Sequence, residues 1–67
     1  MNIKQKIEEK IITSNEEVAK KLQYLLKDGQ TGPLGLDDAS WEVDLFLSDL
    51  GLNCTVNRKY GTVNYYL

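Results

Sequence analysis

The chain has 67 residues with eight Lys or Arg, ten Asp or Glu, one Cys and no His, and its formal charge is −2. Without His, and with a single thiol, neither a zinc site nor an activated nucleophile is expected, so we predict no enzyme activity, no catalytic residue, no metal and no cofactor. One Cys excludes an intrachain disulfide and is typical of a reducing compartment. With no apolar run of signal-peptide or membrane-spanning length, residues 1–67 are predicted to form one small cytoplasmic domain that does not enter a membrane.

Residues 2–28 have a helical pattern, in which apolar residues recur every three or four positions in two sets. The two sets are Ile3, Ile7 and Ile11, then Val18, Leu22, Leu25 and Leu26. Between them Thr13 or Ser14, each with a Glu three residues later, could form a capping box, which predicts separate helices over 2–13 and 15–28. One helix of about 25 residues remains an alternative, because the apolar positions also recur every eleven residues.

A loop is predicted over residues 29–36, which hold three of the five Gly and the only Pro. A third helix is predicted over 37–50, with Asp37 as its N-cap. Leu36 would then pack on Trp41 as a hydrophobic staple.

The third helix has two apolar faces. At about 100° per residue, one face collects the residues predicted for the core: Ala39, Val43, Phe46, Leu47 and Leu50. Trp41 and Leu45 fall nearly opposite. Acids border them on both sides: Asp38, Glu42 and Asp49 on one, Asp37 and Asp44 on the other. This second face is either covered by the rest of the chain or exposed as a contact site, and the sequence leaves both alternatives open.

The last part of the chain predicts an antiparallel hairpin, with strands over 52–57 and 62–67 and a four-residue turn between them. The alternation directs Cys54 and Tyr65 towards the core. The fold class expected is therefore α+β, with two or three N-terminal helices and a C-terminal two-stranded hairpin. The open edge of such a hairpin could also pair with a second copy, so a homo-oligomer remains possible.

Charge is arranged in blocks along the chain. Residues 1–27 carry six Lys and four Glu, residues 28–57 carry six acids and no base, and Arg58 and Lys59 follow. The net charges of these blocks are +2, −6 and +2. Such a pattern favours a partner with a basic surface and opposes direct binding to nucleic acid.

We therefore predict a protein-interaction module that docks an acidic helix on a basic protein surface, such as one that handles nucleic acid. The predicted partner-binding residues are Trp41, Leu45, Asp37, Asp38, Glu42, Asp44 and Asp49. A secondary contact is predicted at Arg58, Lys59, Tyr60 and Tyr66. In size and charge the chain resembles the inhibitors that phages and mobile elements make against host factors, anti-CRISPR proteins among them. That resemblance implies steric and electrostatic occupation of a nucleic-acid channel.

The alternative prediction is a DNA-binding regulator. Three helices followed by a hairpin is the element order of a winged helix-turn-helix, in which the third helix enters the major groove. Arg58 and Lys59 would then lie on the wing, whereas the acids of the third helix would face phosphates.

Overall fold

The computed structural model describes residues 2–67 and has the predicted α+β architecture, with three helices followed by one antiparallel hairpin. The elements are α1 (Ile3–Thr13), α2 (Glu16–Asp28), α3 (Asp38–Leu50), β1 (Asn53–Asn57) and β2 (Thr62–Tyr66). Every boundary lies within one residue of its predicted position. No helix within residues 2–67 is long and apolar enough to cross a bilayer.

The N-terminal region consists of two helices, as predicted, but the predicted capping box is wrong. The N-cap of α2 is Asn15, whose side-chain oxygen accepts a hydrogen bond from the Val18 N–H at 3.0 Å. Asn is as effective an N-cap as Ser, and its position one residue later lets it cap the first turn of α2. Ser14 instead ends α1, and its N–H donates to the Ile11 carbonyl.

The other predicted helix ends are confirmed. The carboxylate of Asp37 accepts a hydrogen bond from the Ser40 N–H at 2.7 Å and caps α3. This backbone hydrogen bond is the main reason that the pKa of Asp37 is lowered. Gly29 and Gly51 end α2 and α3 in the left-handed conformation, with φ of 83° and 79°.

The core lies between the three helices and β2. Its buried apolar residues are Ile7, Val18, Leu22, Leu25, Leu34, Ala39, Val43, Leu47 and Tyr65. Phe46 and Leu50, predicted for the core, are only half-buried at its margin, while Ser40 is buried. Leu36 was predicted to pack on Trp41 as a hydrophobic staple, but it is 94% exposed and buries almost none of its side chain.

The predicted loop contributes to the sheet, which the sequence reading missed. Residues 30–34, here called the loop strand, pair antiparallel with β2 through bridges at Gln30–Tyr66 and Leu34–Val63. Leu34 and Val63 exchange two backbone hydrogen bonds, of 2.8 and 3.2 Å. Since the loop strand has one residue more than β2 between the two bridges, the register shifts as in a β-bulge. β2 is therefore the central strand.

The hydrogen-bond pattern of β2 determines which groups of β1 face outwards. The N–H and C=O of Val63 point to the loop strand, so those of Asn64 point to β1, where Thr55 lies opposite. Because directions alternate along a strand, the N–H and C=O of Cys54 and Val56 point away from β2. Within residues 2–67, no backbone group bonds to this outer edge.

The hairpin register is the predicted one, with Asn57 opposite Thr62. Tyr65 is buried as expected, but the prediction that Cys54 faces the core is wrong, because every residue of β1 is exposed. α3 packs mainly on α2 and β2, and this leaves the apolar side of β1 uncovered. The alternation identified the correct face of the strand, but no element within residues 2–67 covers that face.

Candidate functional site

Trp41 and Leu45 lie on the solvent side of α3. Trp41 is 62% exposed and Leu45 is 54% exposed. The opposite side of the helix supplies Val43 and Leu47, which are fully buried. The second apolar face of α3 is therefore exposed to solvent and is not covered by the rest of residues 2–67.

Trp41 also forms one wall of a shallow groove, here called the Trp41 groove, which has a volume of about 650 Å³. The groove runs between the first half of α3, the residues after the loop strand and the end of the hairpin. Its principal lining residues are Leu36, Trp41, Asp44, Val56, Arg58 and Val63. It therefore combines apolar walls with one acid and one base, and Arg58 joins Trp41 in a single site.

Asp44 is held in the groove by the buried side of the hairpin. The Tyr65 hydroxyl donates to Oδ1 of Asp44 at 2.6 Å. Burial, followed by this hydrogen bond to a carboxylate, raises the pKa of Tyr65 to about 12. Tyr65 therefore remains protonated at neutral pH and fixes the direction of the Asp44 carboxylate.

The remaining predicted acids do not form one continuous free surface. Glu42 makes an ion pair with Lys10 of α1 at 3.6 Å, and Lys10 Nζ also lies 5.6 Å from the centre of the Phe46 ring. Asp38 and Asp49 are exposed, and neither makes an ion pair or a side-chain hydrogen bond among the described residues. Asp37 is committed to the cap of α3. The acids that remain for an outside cation are therefore chiefly Asp38 and Asp49.

The residues predicted for the secondary contact do not lie together: Lys59 and Tyr60 are at the hairpin turn, whereas Tyr66 is on one face of the sheet. The turn is fixed by Asn57, whose side-chain oxygen accepts from the Lys59 N–H at 3.1 Å. Lys59 Nζ lies 5.4 Å from the centre of the Tyr60 ring, which is 69% exposed. Tyr66 lies on the other face of the sheet, where its hydroxyl accepts from Thr55 at 2.7 Å. Tyr66 is therefore not part of the Trp41 groove.

Sequence reasoning did not assign the apolar wall residues Leu36, Val56 and Val63 to a site. The signal for Val56 and Val63 was the alternation that predicted the hairpin, and the signal for Leu36 was its predicted packing on Trp41. Residues 2–67 bring together no group of three Cys, Asp or Glu side chains able to hold a metal ion.

Comparison of the chain with protein-family models, with curated proteins and with solved structures found no match.

Proposed function

We propose that the chain is a protein-interaction module that docks the exposed side of α3 on a basic surface of a partner protein. The observation that carries the proposal is the 62% exposure of Trp41 on the outer side of α3, where Asp38 and Asp49 are exposed and make no ion pair among residues 2–67. Trp is the residue type most enriched at the centre of interfaces, where it fills a pocket within a polar rim. Leu45, one turn further along α3, extends the same apolar contact.

The acids around Trp41 select the kind of partner. Asp38 and Asp49 attract Lys and Arg on the partner, and like-charged surfaces are repelled. A protein surface rich in Lys and Arg is the kind that holds nucleic acid, so docking there would exclude the nucleic acid. The chain would then act as an inhibitor of a nucleic-acid-handling protein, like the phage and mobile-element inhibitors that it resembles in size and charge.

The proposal is tested by affinity capture on the immobilised chain at about 50 mM and about 300 mM salt, because salt screens the attraction between exposed charges. The captured protein is then purified and titrated with wild type and variants. Trp41→Ala is expected to weaken its binding about thirty-fold or more, the loss typical of an interface anchor. The matched control is Tyr24→Ala, which removes another exposed aromatic ring, 49% exposed on α2, and should leave binding unchanged.

A second pair of variants tests the charge. Asp38→Lys with Asp49→Lys should abolish binding, whereas Glu8→Lys with Glu17→Lys makes the same change in net charge on α1 and α2 and should only weaken it. Equal effects of the two pairs would contradict docking through α3. Binding of duplex DNA at low salt that is lost on replacing Arg58 and Lys59 by Ala would contradict it too, and would favour the winged-helix alternative.

A further inference from the structure

The outer edge of β1 lacks the features that keep exposed strands from pairing. β1 is a regular strand of five residues, Asn53–Asn57, with no charged residue and no Pro. Exposed edges in monomeric proteins usually carry Lys, Pro or a bulge. The opposite edge of this sheet has such features, because the loop strand contains Pro33 and a register shift.

The alternating apolar residues of β1 are typical of a strand with one covered face, but residues 2–67 leave that face open. Cys54 and Val56 alternate with polar residues and lie on the side of the sheet that faces α3, yet both are exposed, Val56 by 65%. Their N–H and C=O groups point outwards and leave two donors and two acceptors in a row. An added strand could therefore form hydrogen bonds with this edge and also cover its exposed apolar side chains.

We propose that β1 pairs antiparallel with β1 of a second copy about a two-fold axis that passes beside Thr55. In this register Cys54 of each copy lies opposite Val56 of the other copy. All four outward backbone groups of each strand are then bonded, which forms four hydrogen bonds across the axis. Because the pairing is isologous, the same patch serves both copies.

Neighbouring registers satisfy fewer groups. An axis at Cys54 would pair Val56 with Leu52, whose N–H already donates to the Leu47 carbonyl at 3.3 Å. An axis at Val56 would pair Cys54 with Arg58, which belongs to the hairpin turn. Only an axis at Thr55 places the outward groups of Cys54 and Val56 symmetrically on its two sides, so that all of them are bonded.

Charge supports a second copy as the occupant and an antiparallel direction. Arg58 and Lys59 follow one end of β1, while Asp49, near the end of α3, precedes the other. Antiparallel pairing brings the basic turn of each copy towards the acidic end of α3 of the other copy. Parallel pairing would instead bring the two basic turns together.

The dimer does not depend on the proposed function. A two-fold axis perpendicular to the sheet leaves both α3 helices on the same side, so a dimer would present Trp41, Leu45 and Asp38 of both copies, while Asp49 would face the basic turn of the other copy. If docking through α3 fails but the dimer forms, only the proposed function is lost. If the chain is monomeric, this inference is lost and docking through α3 is untouched.

The first test is sedimentation of the wild-type chain over a range of concentrations. We expect the mass to rise with concentration towards twice the 7.6 kDa of one chain. A monomer at every concentration would overturn the proposal, whether or not a strand of another protein can occupy the edge.

The second test determines the register. With Cys54 replaced by Ser, Thr55→Cys places two thiols opposite each other in a non-hydrogen-bonded pair, about 4.5 Å apart between Cα atoms, which a disulfide can span. The matched control, Asn53→Cys in the same background, lies on the same face but about 13 Å or more from its counterpart. Mild oxidation should give disulfide-linked dimer at least about tenfold faster for Thr55→Cys than for Asn53→Cys. Equal rates would overturn the register.

Discussion

The two edges of the sheet differ although both flank the same central strand. The loop strand covers one edge of β2 with an irregular, Pro-containing segment whose Leu34 is 2% exposed. β1 covers the other edge with a regular strand in which Val56, also opposite Val63, is 65% exposed. Thr31 and Leu34 on one edge are buried, whereas every residue of β1 on the other edge is exposed.

In this sheet the more regular strand is not the one that contributes more to stability. The irregular loop strand supplies core packing, because Leu34 and Thr31 are buried. The well-formed strand supplies chiefly hydrogen bonds to β2 and a second, unoccupied edge. A chain of this size has little stability to lose, roughly 3–5 kcal/mol, so the irregular edge is where substitutions should act most strongly.

We expect the largest loss of stability from Leu34→Ala, and a much smaller one from Val56→Ala. Both residues are apolar and lie opposite Val63, on different edges of the sheet. Leu34→Ala should lower the free energy of unfolding by about 2–5 kcal/mol, because it removes buried methyl groups and leaves a cavity. Val56→Ala should cost less than about 1 kcal/mol, the range of strand propensity at exposed sites. Urea denaturation at low protein concentration compares the two, and a Leu34→Ala chain that is already unfolded without urea counts as the larger loss. Similar losses would remove the distinction between the edges.

A smaller effect is expected for Thr31→Val compared with Thr55→Val, a matched pair on the two edges. The buried Thr31 hydroxyl accepts a hydrogen bond from the Tyr65 N–H at 3.1 Å. Its removal leaves that buried N–H unpaired and should cost about 1–3 kcal/mol. Thr55 donates to the Tyr66 hydroxyl at an exposed position, so its replacement should change stability by less than about 0.5 kcal/mol. A larger loss for Thr55→Val would reverse the comparison.

The sequence was sufficient for the local structure. Periodicity of apolar residues located the helices α1 to α3 and the strands β1 and β2 to within one residue, and side-chain chemistry identified Asp37, Gly29 and Gly51 as helix ends. These features depend on neighbours in the chain, which a pattern can show. The break after α1 was also predicted, although Asn15, and not Ser14 or Thr13, provides the cap.

The arrangement of elements around β2 could not be predicted in the same way. Pairing of residues 30–34 with β2 joins positions about thirty apart and leaves no alternation in a segment rich in Gly and Pro. The exposure of Cys54 followed from the placement of α3 over β2, which is a tertiary choice. For Trp41 the sequence defined its side of the helix, but only the packing decided that this side is open.

Amide hydrogen exchange followed by NMR shows whether the open edge of β1 pairs with a second copy. In dilute solution the N–H groups of Cys54 and Val56 should exchange fast, while that of Thr55, which points to β2, should be protected. At high concentration exchange at Cys54 and Val56 should slow markedly, because these two groups then donate across the two-fold axis. Fast exchange of both groups at every concentration would contradict this pairing.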